Sequence, residues 1–160
     1  MKIKLCGLSR PQDIEAANAL MPDYVGFVFA RKSRRYISPE TAAALRKQLN
    51  PAIQTVGVFT DEEPELVAAL VRDHIIDMIQ LHGHEDRDYI RYLRTLTSAP
   101  IIQAVCIRNE SDLERAQESS ADLILLDSAA GGSGVSFDWN LLSRVTRPYF
   151  LAGGLTAENV

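Results

Sequence analysis

A thiol beside a glycine and an aspartate closing an apolar run are the two groups in this sequence best placed to move protons. Cys6 ends Met1-Lys-Ile-Lys-Leu-Cys6, which alternates Ile3 and Leu5 with lysines and then turns at Gly7 toward a helix. A sulfur at such a strand end stands at the mouth of a loop, where as thiolate it serves as base or nucleophile. A free cysteine there also reads as a small buried hydrophobe. Asp127 ends Leu123-Ile-Leu-Leu-Asp127 in the same manner. It either caps the following turn or, partly desolvated, keeps a proton to donate. A thiol and a carboxyl at the same ends of two parallel strands would form a base and an acid for one substrate.

Other side chains supply binding rather than proton transfer. Arg34 and Arg35 follow a strand end within Ser33-Arg-Arg-Tyr36; they are either solvated or one of them grips a carboxylate in a bidentate fork. Gly131-Gly-Ser-Gly134 and Gly153-Gly154 are glycine-rich loops, the second just before Thr156, a helix cap. Such loops are either flexible connections or backbone cradles for phosphate at a helix N-terminus. His82, followed by Gly83, is a structural residue or a substrate contact. His74 and His84 make no metal-ligand pattern with it, and Cys106 reads as a buried structural thiol.

The elements that would position these groups alternate strand and helix throughout. A helix capped by Ser9 with Pro11 in its first turn carries Ile14, Ala17 and Leu20 at helical spacing. Residues 24–29 form a nearly continuous apolar strand. Ser38-Pro39-Glu40 starts a helix running through Leu49. Strand 54–59 leads to a helix capped by Thr60 or Asp61. Strand 77–82, helix 86–96, strand 100–105, helix 111–117 and strand 122–126 follow. A short helix at 137–142, strand 148–152 and the opening turn of a last helix at 157–160 complete the chain. This alternation predicts a parallel sheet with right-handed crossovers and one domain over residues 1–160. A doubly wound sheet would carry G-x-G-x-x-G after the first strand, which Cys6-Gly-Leu-Ser-Arg10 lacks. Polar residues at several strand ends, Cys6, His82, Gln103 and Asp127, favour a barrel.

The bulk numbers narrow the setting. The chain has 160 residues, 46% hydrophobic and 24% charged, with a net charge of −4, as in ordinary soluble domains. No basic stripe fits nucleic acid, and no apolar run nears the ~20 residues of a membrane span. Two cysteines without framework spacing, and no basic-then-apolar leader, point to a reduced, cytoplasmic protein.

Taken together, Lys4-Leu-Cys-Gly7, Val25-Gly-Phe-Val-Phe29, Ser33-Arg-Arg-Tyr-Ile-Ser38, Val56-Gly-Val-Phe59, Ile79-Gln-Leu-His-Gly83, Leu125-Leu-Asp127, Gly131-Gly-Ser-Gly134 with Phe137-Asp-Trp139, and Leu151-Ala-Gly-Gly-Leu155 resemble the phosphoribosylanthranilate isomerase family of tryptophan biosynthesis. The resemblance implies a (β/α)8 TIM barrel, here expected to lack most of the seventh helix and the eighth βα unit. It implies a cofactor-free, metal-free Amadori rearrangement of N-(5-phosphoribosyl)anthranilate to the carboxyphenylamino-deoxyribulose 5-phosphate. It puts Cys6 at the general base, Asp127 at the general acid, Arg35 on the anthranilate carboxylate, and His82, Gly153 and Gly154 among the substrate contacts. The partner is then a small phosphosugar, not nucleic acid or membrane. Open barrel edges would leave the chain weakly active alone and prone to pair with a second copy or a complementary fragment. Two other readings stand beside this one. A different phosphosugar barrel would want metal-ligand histidines, or an Asp where Cys6 stands. A folded fragment would bind phosphorylated ligands without turnover.

Overall fold

In a computed structural model, which describes residues 1–128, 138–156 and 158–159, the chain divides into two compact units, residues 1–100 and 101–160. The first contains β1 (Lys4–Cys6), α1 (Pro11–Leu20), β2 (Tyr24–Val28), α2 (Pro39–Arg46), β3 (Gln54–Phe59), α3 (Pro64–Arg72), β4 (Met78–Leu81) and α4 (Arg87–Leu96). Its strands pair in parallel, each with the next, and the register sets Cys6 beside Gly26, Gly26 beside Val56, and Val56 beside Met78. The second unit holds β5 (Ile101–Cys106), α5 (Glu110–Gln117), β6 (Leu123–Asp127), a 3₁₀ helix (Trp139–Arg144) and β7 (Tyr149–Leu151). Here too the strands pair in parallel, with Cys106 beside Asp127 and Leu126 beside Leu151.

The central strands of the first unit are largely apolar on both faces because both are covered. Every residue of β2 and β4 is buried, as expected where helices pack over a parallel sheet. Phe27, Phe59, Ile79 and Leu81 are fully enclosed, with Ile90 and Leu93 of α4. Phe29 and Phe59 stack with ring centres 5.2 Å apart. In the second unit Val105, Ile107, Leu113, Ala116, Ile124 and Leu126 form the core, and Leu141, Leu142 and Val145 pack against it.

Strand starts are tied by side chains. Asp23, Asp77 and Asp122 each immediately precede an even-numbered strand. Each carboxylate accepts the backbone N–H of the residue at the start of the neighbouring strand: Ile3 at 2.8 Å, Thr55 at 2.7 Å and Ile101 at 2.8 Å. Asp77 also accepts from the Thr55 hydroxyl at 3.0 Å and from Arg46 of α2 at 3.2 Å.

Several expected boundaries move. The cap of α1 is Arg10, not Ser9: the Asp13 carboxylate reaches back to both backbone N–H groups and to the Arg10 guanidinium, and these bonds hold its pKa down at about 2, Arg10 contributing most. Ser38 caps α2 as expected, accepting from Thr41 N–H. The helix stops at Arg46 rather than Leu49, because the chain tightens into turns in which Gln48 and Leu49 donate three residues back. Leu49 is buried in that turn, so its apolar signal was tertiary. Neither Thr60 nor Asp61 caps α3; Asp61 lies in the left-handed region (φ 51°), and the helix opens at Pro64 with Glu63 as cap. Gln103 lies within β5, not at its end, and its Oε1 accepts from Ser119 Oγ. Cys106 takes the end position. The glycine loop at 131–134 and Phe137 lie outside the described residues, as do 157 and 160 of the expected last helix.

Replacing Asp77 with Ala strips the side-chain acceptor from the N–H of Thr55, a fully buried residue, and leaves the Thr55 hydroxyl only the Ile75 carbonyl at 3.2 Å. Urea unfolding of Asp77→Ala is expected to show a loss of about 1–3 kcal/mol.

Candidate active site

Cys6 is the last residue of β1 and its thiol is exposed, which removes the buried-hydrophobe reading. Its neighbour across the strand pair is Gly26. A Cβ at Gly26 would fall 2.7 Å from Cys6 Sγ and 3.2 Å from Lys4 Nζ. The missing side chain on β2 is therefore the space that thiol and ammonium share, and Lys4 brings positive charge to the sulfur. Arg35 comes to the same place. Its side chain lies against Gly7, and Nη1 donates to the Cys6 carbonyl at 3.4 Å. The loop that carries it is held by a parallel bridge between Val28 and Tyr36 and by the Arg35 N–H on Ser33 Oγ at 3.1 Å.

His82 follows β4, its N–H bonded to the Phe59 carbonyl at 2.9 Å. Side chains alternate along a strand and match across a parallel pair, so the register puts Cys6, Gly26, Val56, Met78 and Gln80 on one face, with His82 next in line. Beyond it, Glu85 is buried and grips two loops at once, accepting the Asp61 N–H and the Gly83 N–H at 2.8 Å each. Asp61 in turn accepts the His84 N–H at 2.6 Å and meets His84 Nδ1 at 3.0 Å. The depression lined by Asp61, Glu62, Glu63, His84, Glu85 and Asp86 is acidic and repels a phosphate-bearing ligand. Among the described residues no group of three or more His, Cys, Asp or Glu side chains is gathered as a metal site.

In the second unit Asp127 ends β6, is buried, and accepts the Ser128 N–H on Oδ1 at 2.8 Å. Gly153 (φ 81°) follows β7 and packs directly on that carboxyl. A Cβ there would fall 2.6 Å from Asp127 Oδ1 and 2.5 Å from Ser128 Oγ. Gly154 accepts from Asn159 Nδ2 at 2.9 Å through its carbonyl, and Glu158 N–H donates to Thr156 Oγ1 at 3.3 Å.

Of the expected site residues, then, Cys6 and Arg35 are in contact, His82 lies on the same unit, and Asp127 and Gly153 are in contact on the other unit, with Gly154 adjoining. Lys4, Gln80 and Ser128 carried no assigned role in the sequence. The signal for the first two was spacing: each stands two residues before a site residue on the same strand.

Parallel βα repeats with polar groups at strand ends define an α/β enzyme fold of the TIM-barrel type, and similarity to known proteins specifies it further. The family model for N-(5'-phosphoribosyl)anthranilate (PRA) isomerase matches residues 3–160, and the chain belongs to this family. It is 41% identical to the N-(5'-phosphoribosyl)anthranilate isomerase of Endomicrobium trichonymphae, over 99% of this chain and 80% of that one. The crystal structure of phosphoribosyl anthranilate isomerase from Thermus thermophilus superposes with a TM-score of 0.88 at 34% identity, over 99% of this chain and 80% of that one. A phosphoribosyl anthranilate isomerase solved in complex with reduced 1-(o-carboxyphenylamino)-1-deoxyribulose 5-phosphate superposes at 0.85 with 36% identity, over 99% and 78%. No helix among the described residues is long and apolar enough to cross a membrane.

Two predictions follow from these contacts. The bonds from the His84 backbone and ring hold Asp61 below its ordinary 3.8, and the Asp61 carboxylate holds His84 above its ordinary 6.5. The pair is fully formed between those values, weakens upward as His84 loses its proton, and weakens downward as Asp61 gains one. In an NMR titration His84 is expected to show a midpoint above 6.5 that returns toward that value in Asp61→Asn. Gly153→Ala forces the Asp127 carboxyl aside; steady-state kinetics should show kcat lowered by about 10²-fold, the cost of an ångström-scale misplacement.

Proposed function

We propose that this chain catalyses the rearrangement of N-(5-phosphoribosyl)anthranilate to 1-(2-carboxyphenylamino)-1-deoxyribulose 5-phosphate, with Cys6 as general base and Asp127 as general acid. The family match over residues 3–160 carries the activity. It runs without interruption across both units, which supports reading them as one barrel domain whose first seven strands are β1 to β7. The roles are supported by an exposed thiol ending β1 beside Lys4 and Arg35, and by a buried carboxyl ending β6.

The chemistry proceeds by two proton transfers. Asp127 gives its proton to the furanose ring oxygen as the bond from that oxygen to C1 breaks. The nitrogen lone pair fills the vacancy, leaving a cationic Schiff base at C1. That cation acidifies C2, and the Cys6 thiolate takes the C2 proton. The electron pair moves into C1=C2 and neutralises the nitrogen, giving an enolamine. A proton added at C1 and the 2-hydroxyl proton lost then yield the ketose. The electron sink is made from the substrate itself. Lys4 supports the negative charge on sulfur. Arg35 holds the anthranilate carboxylate, Gly153 and Gly154 the phosphate side, and His82 contacts the substrate near the end of β4.

Anthranilate fluorescence follows the reaction. Cys6→Ala and Asp127→Asn are each expected to lower kcat by about 10²- to 10⁴-fold while the product analogue still binds. Binding of the aminoaldose by the unaltered chain without turnover would overturn the assignment.

A further inference from the structure

Gln80 is a polar side chain in a strand that is otherwise apolar. It is 2% exposed, and its Oε1 is buried with no hydrogen-bond partner among the described residues. Its Nε2 lies 3.0 Å from Nδ1 of His82, two residues further on the same strand face. A buried amide with one bare atom costs stability, and nothing in the packing of β4 asks for an amide there: Met78, Ile79 and Leu81 fill the same strand with apolar side chains. The reason for the residue lies in its one side-chain partner among the described residues, His82.

A neutral imidazole has one donor nitrogen and one acceptor. An amide N–H aimed at Nδ1 requires that Nδ1 be the acceptor, so the ring proton sits on Nε2. Turning the amide over would let Oε1 accept from Nδ1–H, but would then bury an NH₂ group with two unmet donors. A bare carbonyl oxygen is the cheaper atom to leave without a partner. β4 holds Gln80 and the bond from His82 N–H to the Phe59 carbonyl holds the residue just past it, so the amide bears on Nδ1 from an anchored backbone.

We propose that Gln80 is the positioning residue that sets His82 in its Nε2–H tautomer, so that His82 meets the phosphosugar-anthranilate as a neutral hydrogen-bond donor to one of its oxygens and not as a base. The proposal rests on His82 contacting the substrate. Gln80 itself touches no reacting atom; it acts through the ring.

The test is made on the intact chain. ¹⁵N NMR of ligand-free protein reads the tautomer directly, and Nε2–H is expected. Gln80→Met, which keeps volume and removes the amide, should turn the single tautomer into a mixture. Gln80→Glu, which offers an acceptor in the same place, should favour Nδ1–H. Affinity for the reduced product analogue, read by anthranilate fluorescence, should fall about tenfold in Gln80→Met and further in Gln80→Glu. His82→Gln, which still offers an N–H donor, should bind better than His82→Ala. An Nδ1–H tautomer in the unaltered chain, or the same His82 spectrum in Gln80→Met, overturns the proposal whatever the enzyme's activity. Equal affinity in His82→Ala and the unaltered chain overturns it by removing the substrate contact. Absence of turnover in the unaltered chain strikes the assigned reaction instead, and the NMR result then decides the role of Gln80 alone.

Discussion

Register is the constraint on which everything else in this chain depends. In a parallel pair a slip of one residue turns every side chain to the opposite face. Cys6 would then leave the space above Gly26, and Gln80 would leave the face it shares with Val58. Three aspartates guard against this. Asp23, Asp77 and Asp122 each stand one residue before a strand and bind the N–H directly opposite. A carboxylate on a backbone N–H is a short, charge-assisted bond, and it is available at one alignment only. The strands meet correctly at their amino ends, and their carboxyl ends inherit the alignment.

What stands at those carboxyl ends is a set of groups made useful by neighbours with little or no side chain. The thiol occupies room that Gly26 leaves open, and Gly153 gives way to the Asp127 carboxyl. The charged side chains then come from the loops and from β1. Arg35 folds back onto Gly7 and the Cys6 carbonyl, and Lys4 reaches forward along its own strand. Thiol, ammonium and guanidinium are thus gathered by one strand pairing and the loop that follows β2. The Asp127 carboxyl on the second unit is set in the same way, with Ser128 N–H steadying one of its oxygens.

Much of this was legible before any coordinates. Strand 54–59 emerges with the expected bounds, because a continuous apolar run between turn residues admits little else. Cys6, Asp127 and His82 were legible as polar breaks at the ends of such runs. Helix starts were less so, because capping is a contest among adjacent polar side chains. Ser9 lost to a carboxylate four residues later, and Asp61 was claimed by His84 from the next βα loop. Gln103 misled for a related reason: a polar residue in an apolar strand marks either its end or a bond to a covering segment, and here it bonds Ser119. Lys4, Gln80 and the three strand-start aspartates were hidden more deeply. For Lys4 and the aspartates the importance lies in which residue stands opposite, which only the register tells; for Gln80 it lies in a bond to the residue two places on, which spacing suggests but only coordinates show.

Glu85 has a mechanical consequence. One buried carboxylate holds amides from the segments following β3 and β4, and Asp61 and His84 lace the same two segments a second time. Neither segment swings outward without tearing bonds from the other. The segments that follow β3 and β4, His82 among them, are therefore coupled: a displacement of one strains the bonds that tie it to the other.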